Sequence, residues 1–103
     1  MRTVKRLKKE WIRQCNQKTL VCFLCGKLIL KESEISAEHI IPKSQGGQAT
    51  QDNLRPSHTI CNNIRGTMEI EDFQDTLKNE YDNDIHKWWR VIHQRHLNKM
   101  RGK

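Results

Sequence analysis

The stretch that decides the fold runs from Cys22 to Arg65 and reads CFLCGKLILKESEISAEHIIPKSQGGQATQDNLRPSHTICNNIR. Two sets of residues alternate along it. One set consists of cysteines and a histidine that are spaced like metal ligands. The other set consists of Glu, His and Asn side chains, which can bind a cation or take up a proton.

The first set is two pairs of ligands with the same spacing. Cys22 and Cys25 are separated by two residues, as in a zinc knuckle, and His58 and Cys61 repeat that gap further along the chain. If the second pair lies in the first turn of a helix, its i,i+3 spacing places both side chains on one face. Three thiolates and one imidazole complete a tetrahedron with no open position for water. The sequence therefore predicts a structural zinc ion.

Three other interpretations of the cysteines stay open at this point. The thiols can be reduced and buried without a metal, or Cys15 can replace His58 in the ligand set. Cys15 is the weaker ligand, because it has no partner at the two-residue spacing and falls in a predicted helix. A disulfide framework is disfavoured, because nothing in the chain indicates secretion.

The second set lies between the two ligand pairs and directly after them. Glu38 and His39 end an apolar, strand-like run, Asn53 follows a polar loop, and Asn62 comes directly after Cys61. A histidine near its ordinary pKa can take a proton from water. A carboxylate and an amide oxygen can hold a hard divalent cation, and an asparagine can fix a loop through hydrogen bonds. A lone His beside a Glu is more often a surface pair than a catalytic one.

In their order and spacing, these elements resemble the HNH nuclease family, which has a ββα-metal finger framed by a zinc knuckle. The resemblance covers this stretch and not its flanks. It rests on the following segments: Cys22-x2-Cys25, Glu38-His39-Ile40-Ile41-Pro42, Gly46-Gly47, Asn53-Leu54 and His58-x2-Cys61-Asn62.

The resemblance implies a metal-dependent endonuclease that hydrolyses DNA phosphodiester bonds and leaves 5′-phosphate and 3′-hydroxyl ends. By that resemblance His39 is the general base, Asn53 holds the loop and the His39 ring, and Glu38 and Asn62 bind one catalytic divalent ion. The runner-up is a non-catalytic, zinc-stabilised nucleic-acid-binding module of a larger assembly.

Three positions depart from the family pattern: Glu38 stands for the commoner Asp, His58 for a Cys, and Asn62 for a His. Because Glu38 and Asn62 offer oxygen ligands, the site is expected to favour Mg²⁺ or Mn²⁺, and zinc is expected only in the knuckle. If the helix register differs by one residue, Asn63 replaces Asn62.

The whole chain is interpreted as a single α+β domain over residues 1–103. A basic N-terminal helix occupies 1–18, the zinc knuckle and ββα core occupy 19–66, and a helical extension occupies 67–103. Within the core we expect a hairpin of strands 28–30 and 35–41, a short strand at 53–55, and a helix that is capped by Ser57 and ends at Gly66. Two further helices are predicted at 69–80 and 84–99, the second capped by Asp82, Asn83 or Asp84.

Charge is distributed unevenly along the chain, whose net charge is +7. Residues 1–18 and 87–103 each carry +6, and residues 19–86 carry −5. The basic ends predict a polyanionic partner, namely DNA. A solvated face or contact with anionic lipid would also fit a basic helix, but the zinc module between the ends favours nucleic acid. The predicted contact residues are Lys5, Lys9, Lys43, Arg55 and Arg65.

The C-terminal helix carries two further features. Trp88 and Trp89 are interpreted as core or docking residues, with base stacking as the alternative. His93 and His96 have i,i+3 spacing, but surface positions are favoured over a metal site because no third ligand is nearby. No apolar run approaches the length of a membrane span and no signal peptide is apparent. We therefore expect a cytoplasmic protein of bacterial or phage type that makes no membrane contact.

Overall fold

The computed structural model describes residues 2–101 of the chain and the side chains of residues 3–100. Met1, Gly102 and Lys103, which belong to the basic segments 1–18 and 87–103, lie outside the described residues. The helices and strands follow one another in the order α1 (Arg2–Asn16), β1 (Ile35–His39), β2 (Leu54–His58), α2 (Thr59–Arg65), α3 (Ile70–Tyr81) and α4 (Ile85–Arg101). This order gives the expected α+β architecture.

Two antiparallel strands and the helix that follows them form the centre of the molecule. β1 pairs with β2, with Ile35 opposite His58 and His39 opposite Leu54. Helix α2 packs on both strands, and α1 packs on β1. The expected ββα unit is thus present, between an N-terminal helix and a C-terminal helical pair.

The predicted hairpin of strands 28–30 and 35–41 is wrong. Leu28 instead forms an isolated bridge with Val21, and the Ile29 N–H donates to the Leu20 carbonyl at 2.8 Å. These contacts close the knuckle into a narrow loop. They also use backbone groups of residues 28–30 that pairing with the strand at 35–41 would require. Of the apolar run at 28–30, only Ile29 is buried, so the run is a poor signal for a sheet strand.

The predicted start of the central helix is also wrong. Ser57 lies inside β2, opposite Ser36, and α2 begins two residues later with His58 as its N-cap residue. The Pro56 carbonyl accepts a hydrogen bond from the Phe23 N–H at 2.8 Å, which ties this part of the strand to the knuckle. Tertiary contacts therefore extend the strand through the Pro-Ser pair. The predicted end is confirmed, because the Gly66 N–H closes the helix on the Asn62 carbonyl at 3.1 Å.

The flanking helices form where they were predicted. α1 supplies Trp11 and Cys15 to the buried core, and α3 supplies Phe73 and Leu77. α4 is capped by the Asp84 carboxylate, whose Oδ1 accepts the backbone N–H groups of residues 86 and 87 at 3.0 and 3.1 Å. Within residues 2–101, no helix combines the length and the apolar character that a membrane crossing needs.

The tryptophan pair is divided between the core and the surface. Trp88 is buried and stacks on Phe73 and Tyr81, with ring centroids 5.0 and 5.1 Å apart. This stack joins α3 to α4. Trp89 is 39% exposed and stacks on the His93 ring. The core interpretation is therefore correct for Trp88.

Candidate metal centre and active site

The candidate metal centre lies where the knuckle, Cys22 to Cys25, meets the junction of β2 and α2. Cys22, Cys25, His58 and Cys61 each present one ligand atom, and these four atoms all lie within 4.8 Å of one another. The His58 Nδ1 is 3.4 Å from the Cys25 Sγ and 3.7 Å from the Cys61 Sγ. A tetrahedral zinc ion would separate a thiolate sulfur from an imidazole nitrogen by about 3.6 Å. The observed spacing therefore fits zinc.

Groups around the ligands hold them in orientation for a metal. The other ring nitrogen of His58, Nε2, lies 3.1 Å from the Leu28 carbonyl oxygen, which turns Nδ1 toward the sulfurs. The backbone N–H groups of Cys25 and His58 donate to the Cys22 sulfur at 3.5 and 3.3 Å. Such bonds stabilise a thiolate.

Crowding of the four ligands shifts the pKa values of Cys22, His58 and Cys61. Hydrogen bonds from Cys25 and Cys61 hold the pKa of the Cys22 thiol far below its usual range. Hydrogen bonds with Cys22 and Cys25 also raise the pKa of Cys61 far above its usual range. The Cys22 and Cys25 sulfurs raise the pKa of His58 to about 10. A divalent cation stabilises all the deprotonated ligands together. Cys15 is buried in α1 and is not part of this cluster.

A buried ion pair lies on the face of β1 that α2 covers. The Glu38 carboxylate binds Arg65 at 3.0 Å between Oε1 and Nη1, and the two residues are 4% and 3% exposed. Burial raises the pKa of Glu38, and the Arg65 charge opposes that shift. The second carboxylate oxygen, Oε2, is buried with no hydrogen-bond partner in the described structure. Glu38 thus keeps one oxygen that can accept a cation.

The Asn62 side chain faces the same side of β1. Its Nδ2 donates to the Ser36 Oγ at 2.8 Å and to the Ala37 carbonyl at 3.2 Å. These two bonds use the amide nitrogen and leave the amide oxygen, which is the atom that a hard cation binds. Asn63 is exposed and lines a cavity with Trp89 instead. The helix register is therefore the one that was predicted.

His39 is the last residue of β1. Adjacent residues of a strand point to opposite faces, so Glu38 and His39 can serve one substrate only where the strand ends, and β1 does end here. The His39 Nε2 is buried and has no hydrogen-bond partner in the described structure. Burial, with a smaller contribution from the Lys43 charge, lowers the pKa of His39. The ring is therefore neutral at neutral pH and can accept a proton.

Asn53 fastens the loop that follows His39. Its Oδ1 accepts the Ile41 N–H at 2.8 Å, and its Nδ2 donates to the carbonyls of Ile41 and Gln48 at 3.1 and 2.9 Å. The loop also needs Gly47, because a Cβ at that position would lie 1.6 Å from the Ile41 carbonyl oxygen. Hydrogen bonds of Asn53 thus fix the loop backbone. None of the described hydrogen bonds joins Asn53 to the His39 ring.

The five basic residues with predicted nucleic-acid contacts are in different environments. Lys5, Lys9 and Lys43 are all exposed at the surface. Arg55 is half-buried, and its Nη1 donates to three carbonyls, the nearest being that of Leu54 at 2.8 Å. Arg65 is buried against Glu38, so its position corrects the prediction of a phosphate contact. No charge pattern along the chain distinguishes Arg65 from an exposed arginine.

A comparison with protein families agrees with this geometry. Residues 22–67 match the model of the family described as HNH endonuclease, which confirms the resemblance found in the sequence. No curated protein sequence matches the chain. This match over residues 22–67 suggests a nuclease or a nucleic-acid-binding function.

Proposed function

We propose that this chain, which carries an HNH endonuclease match over residues 22–67, is a divalent-metal-dependent endonuclease that hydrolyses DNA phosphodiester bonds. One observation carries the proposal. At the end of β1, the Glu38 Oε2 and the His39 Nε2 are both buried without a hydrogen-bond partner in the described structure. Buried polar atoms of this kind are uncommon and concentrate at functional sites.

The proposed chemistry divides among three side chains. His39 accepts a proton from water, the water oxygen forms a bond to phosphorus, and the bond from phosphorus to the 3′ oxygen breaks. Glu38 and Asn62 would hold a divalent cation, Mg²⁺ or Mn²⁺, through oxygen atoms. When bound, such an ion stabilises the negative charge that develops on the leaving 3′ oxygen.

Two further parts of the proposal concern the fold and the substrate. Zinc on Cys22, Cys25, His58 and Cys61 would stabilise the fold, because all four of its positions are filled by protein ligands. Lys5, Lys9, Lys43 and Arg55 are proposed to contact DNA. Support comes from the net charge of +6 on each end of the chain, which attracts a polyanion.

One observation favours a second candidate, a zinc-stabilised module that binds nucleic acid without cutting it. The Arg65 guanidinium already neutralises Glu38, so this carboxylate has a structural explanation without a metal. The unpartnered His39 Nε2 has no such explanation, because a binding module has no need of an imidazole nitrogen that is buried without a hydrogen-bond partner.

Plasmid cleavage distinguishes the two candidates. Supercoiled plasmid is incubated with the purified protein with and without Mg²⁺, and in parallel with the variants His39→Ala and His96→Ala. We expect Mg²⁺-dependent cleavage that His39→Ala lowers by roughly 10² to 10⁴. DNA affinity and zinc content should stay at the wild-type level. The exposed His96 is the matched control and should have no effect. Binding without cleavage would support the second candidate.

A further inference from the structure

Arg65 is the most extensively bonded of the described side chains around the proposed site. Its Nη1 donates to the His39 carbonyl at 2.6 Å and binds the Glu38 Oε1 at 3.0 Å. Its Nη2 donates to the Ile40 carbonyl at 3.0 Å, and its Nε donates to the Met68 carbonyl at 2.7 Å. All three guanidinium nitrogens are thus bonded inside the protein, and the buried group is not placed to bind substrate.

These bonds join the end of α2 to three consecutive residues at the end of β1. Those residues are the proposed metal ligand, the proposed base and the residue that follows them. Because Arg65 holds the Glu38 Oε1, the carboxylate plane is fixed and Oε2 is the oxygen that stays free. Because it also holds the His39 carbonyl, the backbone that carries the imidazole cannot move independently of the carboxylate.

Only an arginine has the geometry for this set of bonds. The guanidinium is a planar fork that can bond a carboxylate and several carbonyls at once, whereas the lysine ammonium is a point charge. Arg55 lies directly opposite Glu38 in the sheet, but its described bonds run to backbone carbonyls at residues 51, 52 and 54. Arg65 is therefore the described ion-pair partner of Glu38.

We infer that Arg65 is a positioning residue, which sets the relative geometry of Glu38 and His39 and makes Glu38 a one-oxygen metal ligand. The inference rests on the proposed function, since it concerns the same site. Groups that orient a metal ligand typically affect metal affinity or activity by 10- to 100-fold.

The variant Arg65→Lys tests this role, because it keeps the charge and removes the fork. Mn²⁺ affinity is measured by electron paramagnetic resonance, and kcat and KM are measured on plasmid. We expect a roughly 10- to 100-fold loss in Mn²⁺ affinity or in kcat, with zinc content and the KM for DNA near wild type. Arg13→Lys is the matched control, because Arg13 also pairs with a glutamate, Glu10, but does so on the exposed surface of α1. It should change nothing.

A second measurement uses the wild-type chain and so does not depend on the variant folding. In side-chain nitrogen NMR, the guanidinium resonances of Arg65 should shift when Mg²⁺ is added, because the ion binds the carboxylate that Arg65 holds. The resonances of Arg13 should stay in place. An Arg65 signal that does not respond to Mg²⁺ would overturn the inference.

The outcomes separate the inference from the proposed function. If the wild type cleaves and Arg65→Lys equals it in Mn²⁺ affinity and kcat, the positioning role is wrong and the nuclease stands. If the wild type binds Mn²⁺ without cutting DNA, the endonuclease is wrong, and the Mn²⁺ affinity of Arg65→Lys still decides the positioning role. A wild-type chain that binds no Mn²⁺ overturns both.

Discussion

Among the described side chains, three buried polar atoms lack a hydrogen-bond partner: the Glu38 Oε2, the His39 Nε2 and the Ser57 Oγ. Leaving a buried polar group unsatisfied costs roughly 1 to 3 kcal/mol. Two of the three atoms belong to adjacent residues at the end of β1, so the cost is concentrated at one place. Such a concentration is expected where a cation and a water molecule are to be bound.

The pH dependence of cleavage should follow His39. Its folded pKa lies below the ordinary value of 6.5, and only the neutral ring can accept a proton. Activity is therefore present above the folded pKa and is lost as pH falls through it, so the acid limb of the kcat/KM profile, which reports the DNA-free protein, should lie below pH 6.5. Lys43→Gln removes the smaller cause of the shift and should move that limb upward, measured as kcat/KM at DNA concentrations well below KM. An acid limb above pH 6.5 in the wild type would contradict the base role.

Asn62 should set the metal preference. Its amide oxygen and the Glu38 carboxylate are hard ligands, so Mg²⁺ and Mn²⁺ should activate cleavage and Ni²⁺ should activate it weakly. Asn62→His offers a softer nitrogen and should raise the Ni²⁺ and Co²⁺ activities relative to Mg²⁺. Metal-titrated cleavage measures both effects. Asn63→Ala is the control, because Asn63 is exposed. A nickel preference in the wild type would exclude Asn62 as a ligand.

The helices and strands differ in how well the sequence predicts them. α1, α3 and α4 are predicted to within a few residues, because each carries an apolar stripe at helical spacing and the start of α4 has a polar cap. The strand at 28–30 was predicted wrongly. Its residues form backbone contacts with Leu20 and Val21, and the spacing of apolar residues does not reveal such contacts. A Pro-Ser pair commonly marks the start of a helix, so the sequence predicts Ser57 as the helix cap. In the structure, pairing with β1 and the hydrogen bond from the knuckle to Pro56 keep this segment in a strand.

The candidate site divides in the same way. The sequence reveals two local patterns: the spacing of the metal ligands, and the order of the residues Glu38, His39, Asn53 and Asn62. It does not reveal the Glu38–Arg65 pair, because that pair joins residues that are distant in sequence and depends on the position of α2 over β1. Exposure of a charged side chain is decided by such packing, which the residue type alone does not reveal.

The knuckle and α2 should lose their structure together when zinc is removed. In small zinc modules, a structural zinc ion contributes on the order of 10 kcal/mol to folding. Cys61→Ala should therefore unfold the protein, with loss of zinc and of a cooperative thermal transition. Cys15→Ala is the matched control, because Cys15 is also buried but lies outside the ligand cluster. Its cost should be about 1 kcal/mol, with zinc retained. Equal damage from both variants would refute the ligand assignment.

The molecule as a whole has basic ends and an acidic middle. Lys5 and Lys9 are exposed on α1, so the double variant Lys5→Glu/Lys9→Glu should weaken DNA binding similarly for all sequences. It should also lower the salt dependence of binding by roughly one unit of slope for each phosphate that is no longer neutralised. Affinity is measured across a range of salt concentrations. Lys78→Glu, on the acidic α3, is the control. If the DNA affinity of the wild type does not change with salt concentration, these lysines are solvated surface residues that do not contact phosphates.

His58 belongs to three parts of the structure: it is the last residue of β2, it occupies the N-cap position of α2, and its ring lies against the knuckle cysteine Cys25. A zinc ion there would join segments that are 33 residues apart in sequence and close the intervening chain into a loop. The entropy of closing such a loop rises only slowly with its length. If the ion binds early in folding, β1 and β2 would pair within this closed loop and not as parts of an open chain. Free zinc would then govern how fast the sheet forms as well as how stable it is.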